Sequence, residues 1–315
     1  MIRTVTGDRD PSDLGVTMAH EHLLMTGGWP VRHEPDFRLD SVDAAVAEVG
    51  RFAGAGGAAL VEMTPLGFGR DPDGLAEVSR RTGVAVVAAT GFHKLGYYAD
   101  THWLHHYTEE QIADLLVAEL VEGLDRGGYE GPLVDRSPAR AGVVKLATEY
   151  HRAGPAVERL AAAIGLAHTR TGAPVSTHTE KGTMAHAQLD LLEAAGVAPD
   201  AVILGHVDHN PDPGLLGELA SRGAYLCCDM PGRVKYGPDS QTLDLLAALD
   251  AAGHRDRILL AGDLARRSYW PAYGGGPGLD YVLTTFVPRL HAMGLDRLAE
   301  QALVVNPARA LRLRA

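Results

Sequence analysis

The first chemistry in the sequence is a pair of histidines one residue apart, His20 and His22, within Val16-Thr-Met-Ala-His-Glu-His-Leu23. Val16, Met18, His20 and His22 keep the period of two of a β-strand, so both imidazoles project from one face. Two imidazoles one strand-step apart make half of a metal site. In a chain with 15 histidines, however, a chance surface or core pair is the plain alternative. Ligation gains support because ligand types recur at the ends of later apolar runs. Lys145 lies in Val-Val-Lys-Leu-Ala-Thr148, His178 and His206 close the fifth and sixth runs, and Asp263 closes the eighth.

Each of these residues has an ordinary reading. A strand-end histidine is more often a hydrogen-bonded rim residue, Lys145 could snorkel or form a Schiff base, and Asp263 could cap a turn. Six such residues at corresponding strand ends argue jointly for metal. Lys145 then poses a problem, because an ammonium group beside divalent cations is repelled. Carboxylation resolves it. The neutral amine adds carbon dioxide to give an anionic, bidentate carbamate that can bridge two ions roughly 3.5–4 Å apart. Carbamate, Asp263 and a bridging hydroxide would supply three negative charges against four positive ones, leaving a centre that acidifies water and polarises a substrate oxygen.

The elements that must position these residues alternate regularly. Apolar runs at 58–64, 84–90, 142–148, 173–179, 201–207, 224–230 and 257–263 follow the His-x-His strand. Amphipathic segments lie between them, several ending at glycine (Gly83, Gly172, Gly196, Gly223, Gly253). Thr108 and Gln111 make a capping-box pattern. Residues 2–13 read as a hairpin or lid, 26–38 as a Gly- and Pro-rich loop, and 294–304 as part of a C-terminal helix. Eight strands alternating with helices, without a break in composition, predict an α/β fold: a (β/α)8 TIM barrel forming a single domain over 1–315 with a short N-terminal hairpin. An open doubly wound sheet is the runner-up, and no phosphate-binding glycine motif follows an early strand.

Bulk properties limit the partners. The net charge of −11 argues against a nucleic-acid or anionic-membrane surface. Cys227 and Cys228 are adjacent and form no disulfide framework, and no apolar leader or spanning segment is evident, so the expected location is the cytoplasm.

The chain resembles the phosphotriesterase family of the amidohydrolase superfamily. The resemblance spans nearly the whole chain and rests on Thr17-Met-Ala-His-Glu-His22, Gly69-Arg-Asp71, Ala88-Ala-Thr-Gly91, Gly142-Val-Val-Lys145, Val175-Ser-Thr-His178-Thr, Leu204-Gly-His206 and Gly262-Asp263. It implies that His20, His22 and Asp263 bind a buried ion, that His178 and His206 bind a more exposed one, and that carboxylated Lys145 bridges them. Zinc is the default metal, with manganese, cobalt and iron also compatible. A homodimer is the default assembly among relatives. The aspartate and histidine that paraoxon-hydrolysing members carry after strands six and seven are replaced here by His209 and Met230, which weighs against organophosphate turnover.

The loops after the last two strands bear on the substrate. Pro231–Gly237 carries Arg233 and Lys235, and Leu264–Gly278 carries Arg266 and Arg267, neither with an acid of its own. Four cations in an acidic protein suggest a pocket for an anionic group, although a solvated or dimer-facing rim would look the same. The second stretch also resembles the family branch that hydrolyses phosphorylated sugar lactones. This makes Lys235, Arg267, Tyr269 and Tyr273 candidates for phosphate contact, with Arg233 and Tyr98 beside them. The expected reaction is lactone opening by a metal-bridging hydroxide. Asp263, the catalytic carboxylate beside Lys145, would take the hydroxide proton and return it to the leaving alkoxide. A phosphotriesterase, a neutral acyl-homoserine-type lactonase and a non-catalytic barrel are the competing readings.

Overall fold

The computed structural model describes residues Met1–Arg314. Two short strands, β1 (Ile2–Thr4) and β2 (Gly7–Arg9), form an antiparallel hairpin. Eight parallel strands follow: β3 (Thr17–Glu21), β4 (Ala59–Glu62), β5 (Ala85–Gly91), β6 (Ala141–Ala147), β7 (Val175–His178), β8 (Val202–Gly205), β9 (Tyr225–Cys228) and β10 (Ile258–Leu260). Each pairs with its sequence neighbour, and β10 comes back beside β3, where Asp263 N donates to His20 O at 3.1 Å. The arrangement is a nearly closed TIM barrel.

Helices α1 (Gly28–His33), α2 (Val42–Gly54), α3 (Pro72–Thr82), α4 (Glu109–Val121), α5 (Pro155–Thr171), α6 (Ala185–Ala194), α7 (Pro213–Ser221) and α8 (Asp239–Ala251) occupy the connections. Short helix α1 forms inside the stretch expected to be a loop. Gly83 and Gly172 end α3 and α5 in left-handed conformation, where a side chain would be strained. The capping box at Thr108 and Gln111 starts α4 as expected. The C-terminal segments α9 (Val287–Ala292), α10 (Asp296–Glu300) and α11 (Asn306–Ala310) adjoin two widened π turns, Val282–Phe286 and Gln301–Val305. Pro288 and Pro307 sit just after these turns. Proline lacks an N–H and crowds the carbonyl four residues back, and the wider turn accommodates both effects.

Buried residues form two layers. Inside the barrel lie Val61, Val87, Val143, Ile203 and Leu259, and a second layer packs strands against helices. The hairpin is no lid. Val5 N donates to Val86 O near the start of β5, and Ile2 joins the inner layer, so the hairpin plugs the floor opposite the strand ends. Among the described residues, no helix is long and apolar enough to cross a membrane.

One buried ion pair ties the wall together. Arg70 donates to Glu119 at 2.7 Å and to Ala89 O at 2.6 Å, while Glu119 also accepts from Thr90 and Asp125 N. Substituting Glu119→Ala strands the Arg70 guanidinium, and the expected loss is about 3–5 kcal/mol. A lower urea midpoint with an unchanged m-value would register it.

Candidate active site

The six expected ligands converge at the carboxyl-terminal mouth of the barrel. On the β3 side, the ligand atoms of His20, His22 and Asp263 all lie within 4.8 Å of one another. Asp263 Oδ1 is 3.4 Å from His22 Nε2 and 3.8 Å from His20 Nε2. The imidazoles continue around the rim, with ring centroids 4.8 Å apart for His20 and His206 and 4.4 Å for His206 and His178. His206 and Asp263 both adopt positive φ, at 60° and 47°. Such backbone strain in non-glycine residues is typical of functional strand ends.

Neighbouring side chains fix how the ligands face. Thr64 donates its only hydroxyl proton to Glu62, so at 2.9 Å it must accept from His22 Nδ1–H, which leaves the His22 Nε2 lone pair free. Asp229 plays the same part for His206. Its Oδ1 lies 2.8 Å from Nδ1 and its Oδ2 accepts the His206 backbone N–H at 3.0 Å. Asp229 is also close enough to His20 and His206 to form a second ligand cluster. Its bonds to the ring and backbone of His206 and to Arg233 make it an orienting acid for both side chains. Asp229 is not among the expected ligands, although it follows an apolar strand just as they do.

The site fits a metal. Both ring nitrogens of His20 and Nε2 of His178 are buried without a hydrogen-bond partner, and a cation would satisfy one nitrogen on each ring. Burial holds His20, His22 and His178 below the ordinary histidine range, keeping them as neutral ligands. Burial alone would raise Asp263, but Arg233 and the hydrogen bond to His22 outweigh it and hold the carboxyl well below its usual range. Lys145 is almost fully buried, donates to Met63 O at 2.9 Å and has no carboxylate within ion-pair distance among the described residues. Burial lowers its pKa to about 8, favouring the neutral amine that carboxylation needs. Burial also pushes Glu21 up to about 8 despite two amide donors, and cations bound nearby would favour its ionised form.

The structure sorts the expected substrate contacts. Lys235 and Tyr269 line the cavity above the ligands, together with Tyr97, Lys181, Tyr236 and Arg266. Arg233 also lines it, but its guanidinium is committed to Asp263 Oδ2 at 2.6 Å and to Asp229. It braces the ligand set and is no free cation. Tyr98, Arg267 and Tyr273 lie off the cavity. The Tyr98 hydroxyl is tied to Leu66 O and His93 N, Arg267 pairs with Asp40, and Tyr273 accepts from Ser41 N. Arg266 takes the place expected of Arg267, with Glu34 and Asp36 beside it.

The sequence profile of the phosphotriesterase family matches residues 1–311. The phospho-furanose lactonase of Mycoplasmopsis synoviae (strain 53) is 36% identical over 324 aligned positions, covering 98% of this chain and 91% of the relative. A lactonase structure from Listeria monocytogenes superposes with a TM-score of 0.92 at 32% identity, covering 100% of this chain and 99% of the other. The phosphotriesterase homology protein of Escherichia coli, solved with phosphate in its active site, gives 0.87 at 31% identity, covering 95% and 99%.

Proposed function

Because the chain belongs to the phosphotriesterase family, we propose that it opens phosphorylated sugar lactones at a centre of two divalent cations. At the coarser level it is a metal-dependent hydrolase of the lactonase type, acting on ester bonds. In the proposal His20, His22 and Asp263 would hold one ion and His178 and His206 the other, with carboxylated Lys145 as a shared anionic ligand. Ions bound there would supply Lewis-acid polarisation of the carbonyl and a water acidic enough to attack at neutral pH.

The chain's own groups do the rest. Asp263 stays ionised beside Arg233, accepts the proton lost by the attacking water and returns it to the leaving alkoxide. Arg233 fixes Oδ2, so Oδ1 is the oxygen turned to the ligand histidines. Glu62 with Thr64, and Asp229, keep His22 and His206 from rotating.

The observation that carries the substrate class is Lys235. Its ammonium group lies 4.8 Å from the Tyr236 ring centre and 5.3 Å from that of Tyr269, on the cavity wall, with no carboxylate in ion-pair range among the described residues. An unneutralised cation over the ligands fits an anionic substituent on the substrate. The phospho-furanose lactonase relative and the phosphate in the Escherichia coli homologue support the same reading. We expect Lys235→Ala to raise KM for a phosphorylated lactone roughly 10- to 100-fold, with kcat and the unphosphorylated ring little affected. Equal wild-type kcat/KM on the two lactones would overturn the proposal in favour of a neutral lactonase or phosphotriesterase.

A further inference from the structure

The residue between the two histidines faces away from the ligands, as strand alternation requires, and yet it is fully buried. Glu21 Oε1 accepts the backbone N–H of Gly262 at 2.7 Å, and Oε2 accepts that of Leu264 at 3.1 Å. The amide between them, Asp263 N, donates to His20 O. Three successive amides of the β10 exit are thus held by two successive residues of β3, at the seam where the first and last barrel strands meet without a continuous ladder. Between the two clipped amides Asp263 takes its left-handed φ of 47°. Side chains resist that conformation unless their surroundings impose it. The fit also constrains the neighbour, since a Cβ on Gly262 would lie 3.0 Å from Glu21 Oε1.

We propose that Glu21 is a positioning residue for the metal centre: its carboxylate clips the amides on either side of Asp263 and thereby aims that side chain at His20 and His22. The inference rests on Asp263 being a ligand. Without the clip, two buried amides lose their acceptor, the turn relaxes toward negative φ, and Oδ1 swings off the histidines. A parallel device lies next door. Glu62, the register partner of Glu21, accepts from Leu23 N and Thr64 N at the exits of β3 and β4.

Glu21→Gln keeps the shape but offers one acceptor oxygen and sets an NH2 against an amide N–H. The test measures zinc affinity of folded, metal-stripped full-length protein by chelator competition, together with the visible spectrum of the cobalt form. It compares the wild type, E21Q, D263N and the double variant. The expected result is a loss of zinc affinity of roughly 10- to 100-fold in E21Q, an altered cobalt spectrum, and no further loss when E21Q is added to D263N. Gly262→Ala, which crowds the same oxygen from the other side, should lose affinity in the same direction. The same E21Q loss in both backgrounds would overturn the proposal, as would a lower melting temperature with unchanged affinity and spectrum. Wild-type affinity in D263N would remove Asp263 from the ligand set, and the proposal with it.

Discussion

Lys145→Ala is expected to lower kcat/KM for the proposed lactone substrate by about three orders of magnitude or more, because losing the proposed bridge would forfeit several kcal/mol of transition-state stabilisation. The side chain is enclosed in β6, makes one hydrogen bond to Met63 O and, among the described residues, has no ion-pair partner, although Asp263, Glu62 and Asp229 lie near enough to favour its charge. Alanine therefore removes the proposed carbamate and leaves the barrel wall otherwise intact. Steady-state kinetics with metal analysis separate the outcomes: the variant should fold, retain less metal and turn over poorly. Wild-type turnover with a full metal complement in Lys145→Ala would rule out the bridge. A companion expectation concerns carbon dioxide. Metal-stripped wild-type protein should regain activity slowly in carbon-dioxide-depleted buffer and faster when bicarbonate is added, at the same metal concentration.

Asp263→Asn should be comparably damaging, for two reasons that reinforce each other. Asparagine is a neutral, weaker ligand and cannot carry the proton to the leaving alkoxide. It also leaves the buried Arg233 guanidinium with Asp229 as its remaining ion-pair partner among the described residues. Breaking a buried pair of this kind costs about 3–5 kcal/mol, so a fall in the denaturation midpoint should accompany a kcat loss of about 10³-fold. A variant that lost stability but kept kcat would assign Asp263 to bracing alone.

Much of this centre could be read from residue order, because a barrel turns strand-terminal positions into neighbours. His20, His22, Lys145, His178, His206 and Asp263 each sit at the end of an apolar run or within one, and closing the sheet brings those ends together. Asp229 was legible by the same rule. What the sequence could not give was the partnering of loop cations. The segments around Arg233 and Arg266 contain no acid, yet folding delivers Glu34, Asp36 and Asp40 from the far end of the chain, and the strand ends supply Asp229 and Asp263. Of the four cations read as a basic pocket, only Lys235 lines the cavity without an ion-pair partner among the described residues. Loop side chains also follow local packing more than position. Tyr98 turns inward to Leu66 while Tyr97 faces the cavity, and Arg267 turns out while Arg266 faces in. The hairpin could not be assigned to floor or mouth from its pattern, since plugging either end buries the same kind of residue.

The order of the ligands along the chain has a consequence for synthesis. His20 and His22 leave the ribosome first, and Asp263 leaves after more than four-fifths of the 315 residues have been translated. On the proposed ligand set a nascent chain would carry two imidazoles able to hold an ion only loosely, and tight capture would wait for the last strand to dock. Cations should then act late in maturation, locking a completed ring and slowing its reopening, without guiding the earlier steps.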